Sequence, residues 1–318
     1  MTDLPERVEI AEEGPREGFQ IEPGPIAIAD KIALIDALSA TGLGTIQVAS
    51  FVSPKLVPGW ADAEAVVAGF APRTGVGYTA LWFNQAGLDR ALAFRDRLAL
   101  VGSVSLSASE AFSRKNLNRD RTGQLDAMRR QTAAHIAAGV PVRRILVMAA
   151  FGCNYSGDVA PEAVLATIAD GLAIAAEAGV AITDLSLADT MGWATPARVE
   201  RLVGAVRGRW PDLRLSLHLH DTRGLGIANA SAGLRLGVTR FDAAVGGLGG
   251  CPFAGQKGAP GNIATEELVL LCEETGIATG VDLAALVEAG RLAERIVGRT
   301  LPSTLLRSGP LSAFRHAA

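Results

Sequence analysis

Leu215-Ser216-Leu217-His218-Leu219-His220-Asp221-Thr222 is the stretch that decides the fold. Its apolar-polar alternation reads as a β-strand, in which successive side chains point to opposite faces. Both imidazoles therefore share one face, about 6–7 Å apart along the strand. Gly224-Leu225-Gly226 follows at once and opens a helix, so the histidines stand at the C-terminal end of their strand. That end is where α/β enzymes keep their chemistry. Two imidazoles so placed can converge on one metal ion, or can be hydrogen-bonded partners in a polar barrel interior. The stretch alone leaves both open.

Outward from it, short apolar runs alternate with longer helical patterns along the whole chain. Strands are expected at 8–12, 45–49, 75–81, 98–106, 144–150, 181–187, 213–220 and 240–244. Helices rich in Ala, Leu and Arg are expected at 27–40, 61–69, 124–138, 161–178, 196–207 and 227–236. Several open on a proline and close on Ala-Gly-Val or Leu-Gly-Val, as capping chemistry asks. Eight strand-helix pairs imply an α/β fold of the (β/α)8 TIM-barrel type with extra C-terminal helices, one of them at 281–296. A doubly wound sheet is the alternative, but no Gly-x-Gly-x-x-Gly follows the first strand. We expect one barrel domain over 1–298 and a loosely held tail over 299–318.

Bulk properties narrow the function classes. With 318 residues the chain is long enough for one large α/β domain. Hydrophobic residues make up 49% and mean hydropathy is +0.26, which excludes a disordered chain. A net charge of −3 calls for neither nucleic acid nor an anionic membrane. Cys153, Cys251 and Cys272 are odd in number, without metal-knuckle spacing, and fit a reducing compartment. The N-terminus lacks a signal-peptide pattern, and no apolar run is long enough for a membrane span. A cytoplasmic enzyme is the expectation.

Strand ends supply the remaining chemistry. The first ends in Glu12-Glu13-Gly14-Pro15-Arg16-Glu17-Gly18-Phe19-Gln20, and the second in Gln47-Val48-Ala49-Ser50-Phe51-Val52-Ser53-Pro54-Lys55. The sixth ends in Ser186-Leu187-Ala188-Asp189-Thr190. The eighth runs into Gly246-Gly247-Leu248-Gly249-Gly250-Cys251-Pro252, then Gly261-Asn262-Ile263-Ala264-Thr265-Glu266. Imidazole, carboxylate and amide oxygen suit Mg2+ or Mn2+ better than a closed structural zinc site. Cys153 and Cys272 read as small core residues, and His135 and His316 as ordinary surface or packing residues.

Through these runs the chain resembles the hydroxymethylglutaryl-CoA lyase family of metal-dependent barrel lyases, over about residues 8 to 298. His218-Leu219-His220-Asp221-Thr222 marks the broader group of such lyases and Claisen-type synthases. Ser50 to Lys55 and Gly247 to Pro252 are more specific to the CoA lyases. The resemblance implies cleavage of a 3-hydroxy-acyl-CoA by a retro-Claisen reaction, giving acetyl-CoA or a related acyl-CoA and a keto acid. By motif position Glu17, His218, His220 and Asn262 would hold Mg2+ or Mn2+. Arg16 would face the enolate oxygen, Cys251 would supply a proton, and His218 and Asp189 would complete the catalytic set. Gln20, Gln47 and Glu266 would support the site, and Ser50, Lys55, Gly249 and Gly250 would meet the acyl-CoA substrate. A homo-oligomer, a dimer in its simplest form, is expected, with no nucleic-acid or membrane partner.

The chain also departs from the family. Glu17 stands where Asp is usual, Gln47 where Glu is usual, and Pro23 where Lys is common. The loop from Cys251 to Asn262 is about two residues longer. The implied substrate is 3-hydroxy-3-methylglutaryl-CoA. Citramalyl-CoA or a longer 3-alkyl homologue is the alternative, since Glu17 and Gln47 reshape the pocket. A condensing synthase of the same group is disfavoured by Cys251 and by the absence of an added regulatory domain. An inactive metal-dependent CoA-ester binder is the reading of another class.

Overall fold

Strands and helices alternate throughout the computed structural model, which describes residues 4–249 and 261–315. The strands are β1 Glu9–Glu12, β2 Thr45–Ser50, β3 Gly77–Leu81, β4 Gly102–Ser107, β5 Val142–Met148, β6 Asp184–Ala188, β7 Arg214–His218 and β8 Arg240–Ala243. Their order in the sheet is β3-β2-β1-β8-β7-β6-β5-β4, the sequential order of a (β/α)8 barrel. The pairs β1–β2, β2–β3, β4–β5, β5–β6 and β6–β7 are all parallel.

The chain packs as two compact units. One is built around Leu100–Phe241, the other around Glu6–Ala99, Asp242–Gly250 and Pro260–Ala318. In the first, every residue of β6 is buried, as expected of a parallel strand covered on both faces. Its neighbours add Ile145, Val147, Leu215 and Leu217 to the core. The helix Pro196–Arg209 opens with proline in its first turn, and Thr195 caps it by accepting from the Arg198 N–H.

In the second unit, helix Ile28–Ser39 buries Leu34, Ile35 and Leu38, together with one charge, Lys31. The Lys31 ammonium donates to the Gly59 carbonyl at 2.6 Å and to the Asp62 carboxylate at 2.7 and 2.9 Å, and lies 4.6 Å from the centre of the Trp60 ring. A buried ammonium needs such partners. The cluster fixes Trp60, whose Nε1–H reaches the Arg16 carbonyl at 3.3 Å. A helix on the outside of the sheet thus holds the backbone of a site residue.

Helices Gln85–Leu92, Glu110–Leu117 and Thr265–Glu274 were not expected from the sequence. Two of them have local caps, Asn84 accepting from the Gly87 N–H and Ser109 from the Phe112 N–H. β4 begins at Gly102, four residues beyond its expected start, because Leu98 closes the preceding turn by donating to the Phe94 carbonyl.

Helix Leu283–Val297 ends on Gly298 at φ 68°, a left-handed C-cap. Beyond it Leu301, Ser303, Leu305 and Leu306 are buried, and the Ser303 N–H donates to the Gly246 carbonyl at 3.1 Å. The described part of the 299–318 segment is therefore tied to the turn after β8. Gly246 itself sits at φ 66°, and a Cβ added there would lie 2.4 Å from Leu301 Cδ1. Gly246→Ala combines left-handed strain with overpacking, and we expect it to destabilise the fold by about 1–3 kcal/mol. Thermal denaturation checks this; an unchanged melting temperature would contradict the packing described.

Candidate active site

The turn after β1 brings together Arg16, Glu13, Glu17 and Gln47. Gly14–Gly18 forms a single π-helical turn, a geometry frequent at functional sites. It buries Arg16, whose Nε donates to Gln47 Oε1 at the end of β2. Arg16 Nη2 donates to Glu13 Oε2 at 2.5 Å, and Nη1 lies 3.1 Å from Glu17 Oε2. Gln47 Nε2 in turn donates to Glu13 Oε1 at 3.3 Å. Burial alone would lower the Arg16 pKa, but the Glu13 and Glu17 carboxylates more than offset it and raise the pKa above its ordinary value. Arg16 is thus a fixed cation, each of its three nitrogens facing an oxygen of Gln47, Glu13 or Glu17.

Glu17 also meets Asn262, whose Nδ2 donates to Glu17 Oε1 and to the Leu248 carbonyl, both at 3.1 Å. Asn262 Oδ1 is then left buried without a hydrogen-bond partner among the described residues. Gly249, at φ 89°, lies so close that an added Cβ would be 2.6 Å from Asn262 Nδ2 and 3.3 Å from Glu17 Cγ. Only glycine fits there. Gln20 Oε1 and Ser50 Oγ are likewise buried without hydrogen-bond partners among the described residues. Lys55 is exposed. Cys251 and Gly250 lie outside the described residues, as does His316.

Two further carboxylates hold this turn and the one after β8. Glu12 Oε1 accepts from the Gly14 N–H at 2.7 Å and the Val245 N–H at 2.8 Å, and Oε2 accepts from Thr265 Oγ1 at 2.6 Å. Glu266 accepts from the Gly246 N–H at 2.9 and 3.0 Å. Both are completely buried. Burial pushes the Glu12 carboxyl up to about 7, against the lowering effect of Thr265 and the two backbone donors. Burial raises Glu266 well above the usual carboxylate range too.

The other unit carries the histidines. His218 and His220 have ring centres 5.1 Å apart and near-perpendicular planes, as the alternation of the strand implied. His220 Nδ1 lies 2.7 Å from the Asp189 carbonyl, which can only accept. Nδ1 therefore bears the proton in the neutral ring, and Nε2 presents its lone pair. The Asp189 N–H donates to the His218 carbonyl at 2.8 Å. Asp189 Oδ1 accepts from the Trp193 N–H at 2.6 Å and the Ala194 N–H at 3.0 Å. Its Oδ2 is buried without a hydrogen-bond partner among the described residues, and burial raises its pKa. Asp221 Oδ1 accepts from the Gly226 N–H at 2.7 Å. Cys153 and Cys272 are buried, and burial pushes the Cys272 thiol up to about 12.

Glu12, Glu13 and Trp60 were not singled out from the sequence. The signal available was the acidic pair immediately before Gly14-Pro15-Arg16. Glu12 also generates a stability test. Its folded pKa of about 7 exceeds the ordinary 4.5, so the folded state holds the proton more tightly. Its contribution is complete below about 4.5 and is lost as pH rises through about 7. The difference is worth on the order of 3 kcal/mol. We expect Glu12→Gln to flatten the fall in melting temperature between these pH values, with Glu266 leaving a residual slope. Identical pH profiles for the two proteins would contradict this.

Comparison with known proteins agrees with the geometry. The HMGL-like family model matches residues 7–293. The chain is 42% identical over 303 residues to the hydroxymethylglutaryl-CoA lyase of Bacillus subtilis, covering 95% of this chain and 97% of that one. It is also 42% identical over 298 residues to the 3-hydroxy-3-isohexenylglutaryl-CoA/hydroxymethylglutaryl-CoA lyase of Pseudomonas aeruginosa, covering 94% and 95%. The structure of an Acinetobacter baumannii HMG-CoA lyase in complex with coenzyme A and 3-methylmalate superposes with a TM-score of 0.86 at 35% identity, over the full length of both chains. The TIM-barrel fold and the family are thereby shown: the chain belongs to the HMGL-like family of carbon–carbon lyases.

Proposed function

We propose that this protein is a divalent-metal-dependent lyase that cleaves 3-hydroxy-3-methylglutaryl-CoA to acetyl-CoA and acetoacetate. The observation that carries the reading is the buried Arg16 guanidinium, a fixed cation held by Glu13, Gln47 and Glu17 and suited to a developing oxyanion.

The donor set fits a hard divalent ion. Glu17, His218 and His220 offer one carboxylate oxygen and two imidazole nitrogens, and Asn262 Oδ1 adds a buried oxygen without a hydrogen-bond partner among the described residues. Nitrogen and oxygen donors with no thiolate suit Mg2+ or Mn2+. An ion held by these residues would supply Lewis acidity for ionising the substrate's C3 hydroxyl.

The chain's own residues do the rest. Asp189 holds His220 in the Nδ1-protonated tautomer through its backbone carbonyl. Its Oδ2 is the oxygen left to receive the C3 hydroxyl proton, and a pKa raised by burial makes it a better base. The C2–C3 bond then breaks, C3 becomes the ketone of acetoacetate, and the electron pair passes into the thioester enolate. Arg16 donates to the enolate oxygen. Cys251 delivers its thiol proton to C2, completing acetyl-CoA. Gln20, Gln47 and Glu266 support the site; Ser50, Lys55, Gly249 and Gly250 meet the acyl-CoA.

A longer 3-alkyl substrate is a second reading, favoured by the Pseudomonas aeruginosa relative and by Glu17 and Gln47 lying directly against Arg16. We further read 1–298 as one functional barrel domain and the protein as a cytoplasmic homodimer. Among the described residues no helix is long and apolar enough to cross a membrane.

The test is to incubate purified protein with Mg2+ or Mn2+ and a panel of 3-hydroxy-acyl-CoA esters and to identify products by mass. Cleavage of the methylglutaryl ester is expected, abolished by excess chelator and reduced by orders of magnitude in His220→Ala. Arg16→Gln should lower kcat on the order of 10²-fold or more with little change in KM. Full turnover in chelator, or no cleavage of any ester, would overturn the reading.

A further inference from the structure

Arg16, Glu13 and Gln47 close a ring of side-chain hydrogen bonds. Arg16 Nε donates to Gln47 Oε1, Arg16 Nη2 donates to Glu13 Oε2, and Gln47 Nε2 donates to Glu13 Oε1. Glu13 and Arg16 are buried, at 7% and 9% exposure, and Gln47 is partly buried. The ring contains one cation, one anion and one neutral amide. The amide must present its oxygen to the guanidinium and its nitrogen to the carboxylate, so neither the charge order nor the Gln47 rotamer is free.

We propose that Glu13 is a positioning residue for the lyase reaction: with Gln47 as a neutral adaptor, it sets the plane of the Arg16 guanidinium and supplies its permanent counter-charge. The inference rests on the role given to Arg16 above.

The chemistry of the ring states why Gln47 is an amide here. A carboxylate at position 47 would face Glu13 Oε1 across a hydrogen-bond distance with no proton between them. Two buried carboxylates at that range cannot both stay ionised at ordinary cost. One would bind a proton or swing away, and Arg16 would turn with it. With Glu13 present, the carboxylate usual in the family at position 47 is excluded by charge rather than by size. Glu17 does not substitute for Glu13, because its carboxylate also accepts from Asn262 and belongs to the proposed ligand set.

The ring can be inverted. In the double variant Glu13→Gln with Gln47→Glu, the carboxylate takes Arg16 Nε and the amide takes Nη2. The amide nitrogen still closes the third bond, so net charge and all three contacts are kept.

The test uses full-length protein with Mg2+ and 3-hydroxy-3-methylglutaryl-CoA, and wild-type turnover is measured first. No wild-type turnover, with any metal or ester, sinks the lyase reading itself, and the ring variants are judged only against an active wild type. We expect Glu13→Gln and Gln47→Glu each to lower kcat about 10-fold or more, with KM within about 3-fold, because a misaimed guanidinium acts on the transition state. The double variant should recover to within about 10-fold of wild type, since groups in direct contact couple strongly. Glu13→Asp keeps the charge but shortens the arm. It should lower kcat while the melting temperature stays near wild type, a split that a purely structural role would not show. Losses that multiply in the double variant, or single variants that lose stability but not kcat, would overturn the proposal.

Discussion

A guanidinium withdrawn from water at the end of β1 is the constraint on which the rest of the site depends. Burying that charge is unfavourable, and only the nearby carboxylates make it tolerable. Each neighbour is shaped by this need. The π-helical turn brings Arg16 back over Glu13, the end of β2 delivers Gln47, and the Lys31–Trp60 cluster fixes the Arg16 carbonyl from the outer helix. A guanidinium held this way needs little reorganisation when charge develops opposite it, which is how preorganised donors accelerate a reaction.

Four glutamates close to one another in the fold play separate parts, set by environment rather than by residue type. Glu13 and Glu17 face Arg16 and strengthen its charge. Glu12 and Glu266 see mainly backbone and hydroxyl donors in full burial, and their pKa values rise. Glu12 bridges the turn after β1 to the Val245 N–H just past β8, and Glu266 holds the next N–H along, that of Gly246. Together they fix the backbone at Val245 and Gly246, ahead of Gly249. The same side chain serves as counter-ion, proposed ligand and structural cross-link within one strand-end cluster.

Much of this was legible in the sequence. Strict alternation placed His218 and His220 on one face, and that geometry needs nothing beyond the period of a strand. The eight strands followed from spacing alone, with boundary shifts of a few residues. Glu13 was not legible. At a strand end the backbone leaves its regular period, so which of two adjacent acids turns inward depends on the turn that follows, here a π-helical one. The partnerless oxygen of Asn262 could not be read from sequence either, since it exists only once Glu17 and Leu248 have taken the amide nitrogen.

The proposed role of Arg16 in forming a thioester enolate can be measured apart from the whole reaction. Acetyl-CoA alone, incubated with the metal-loaded protein in deuterium oxide, reports enolate formation as deuterium entering its methyl group, read by mass. We expect steady incorporation by the wild type, and loss of it on the order of 10²-fold in Arg16→Gln that still binds the metal. Incorporation at the wild-type rate in Arg16→Gln would contradict the role of the buried guanidinium.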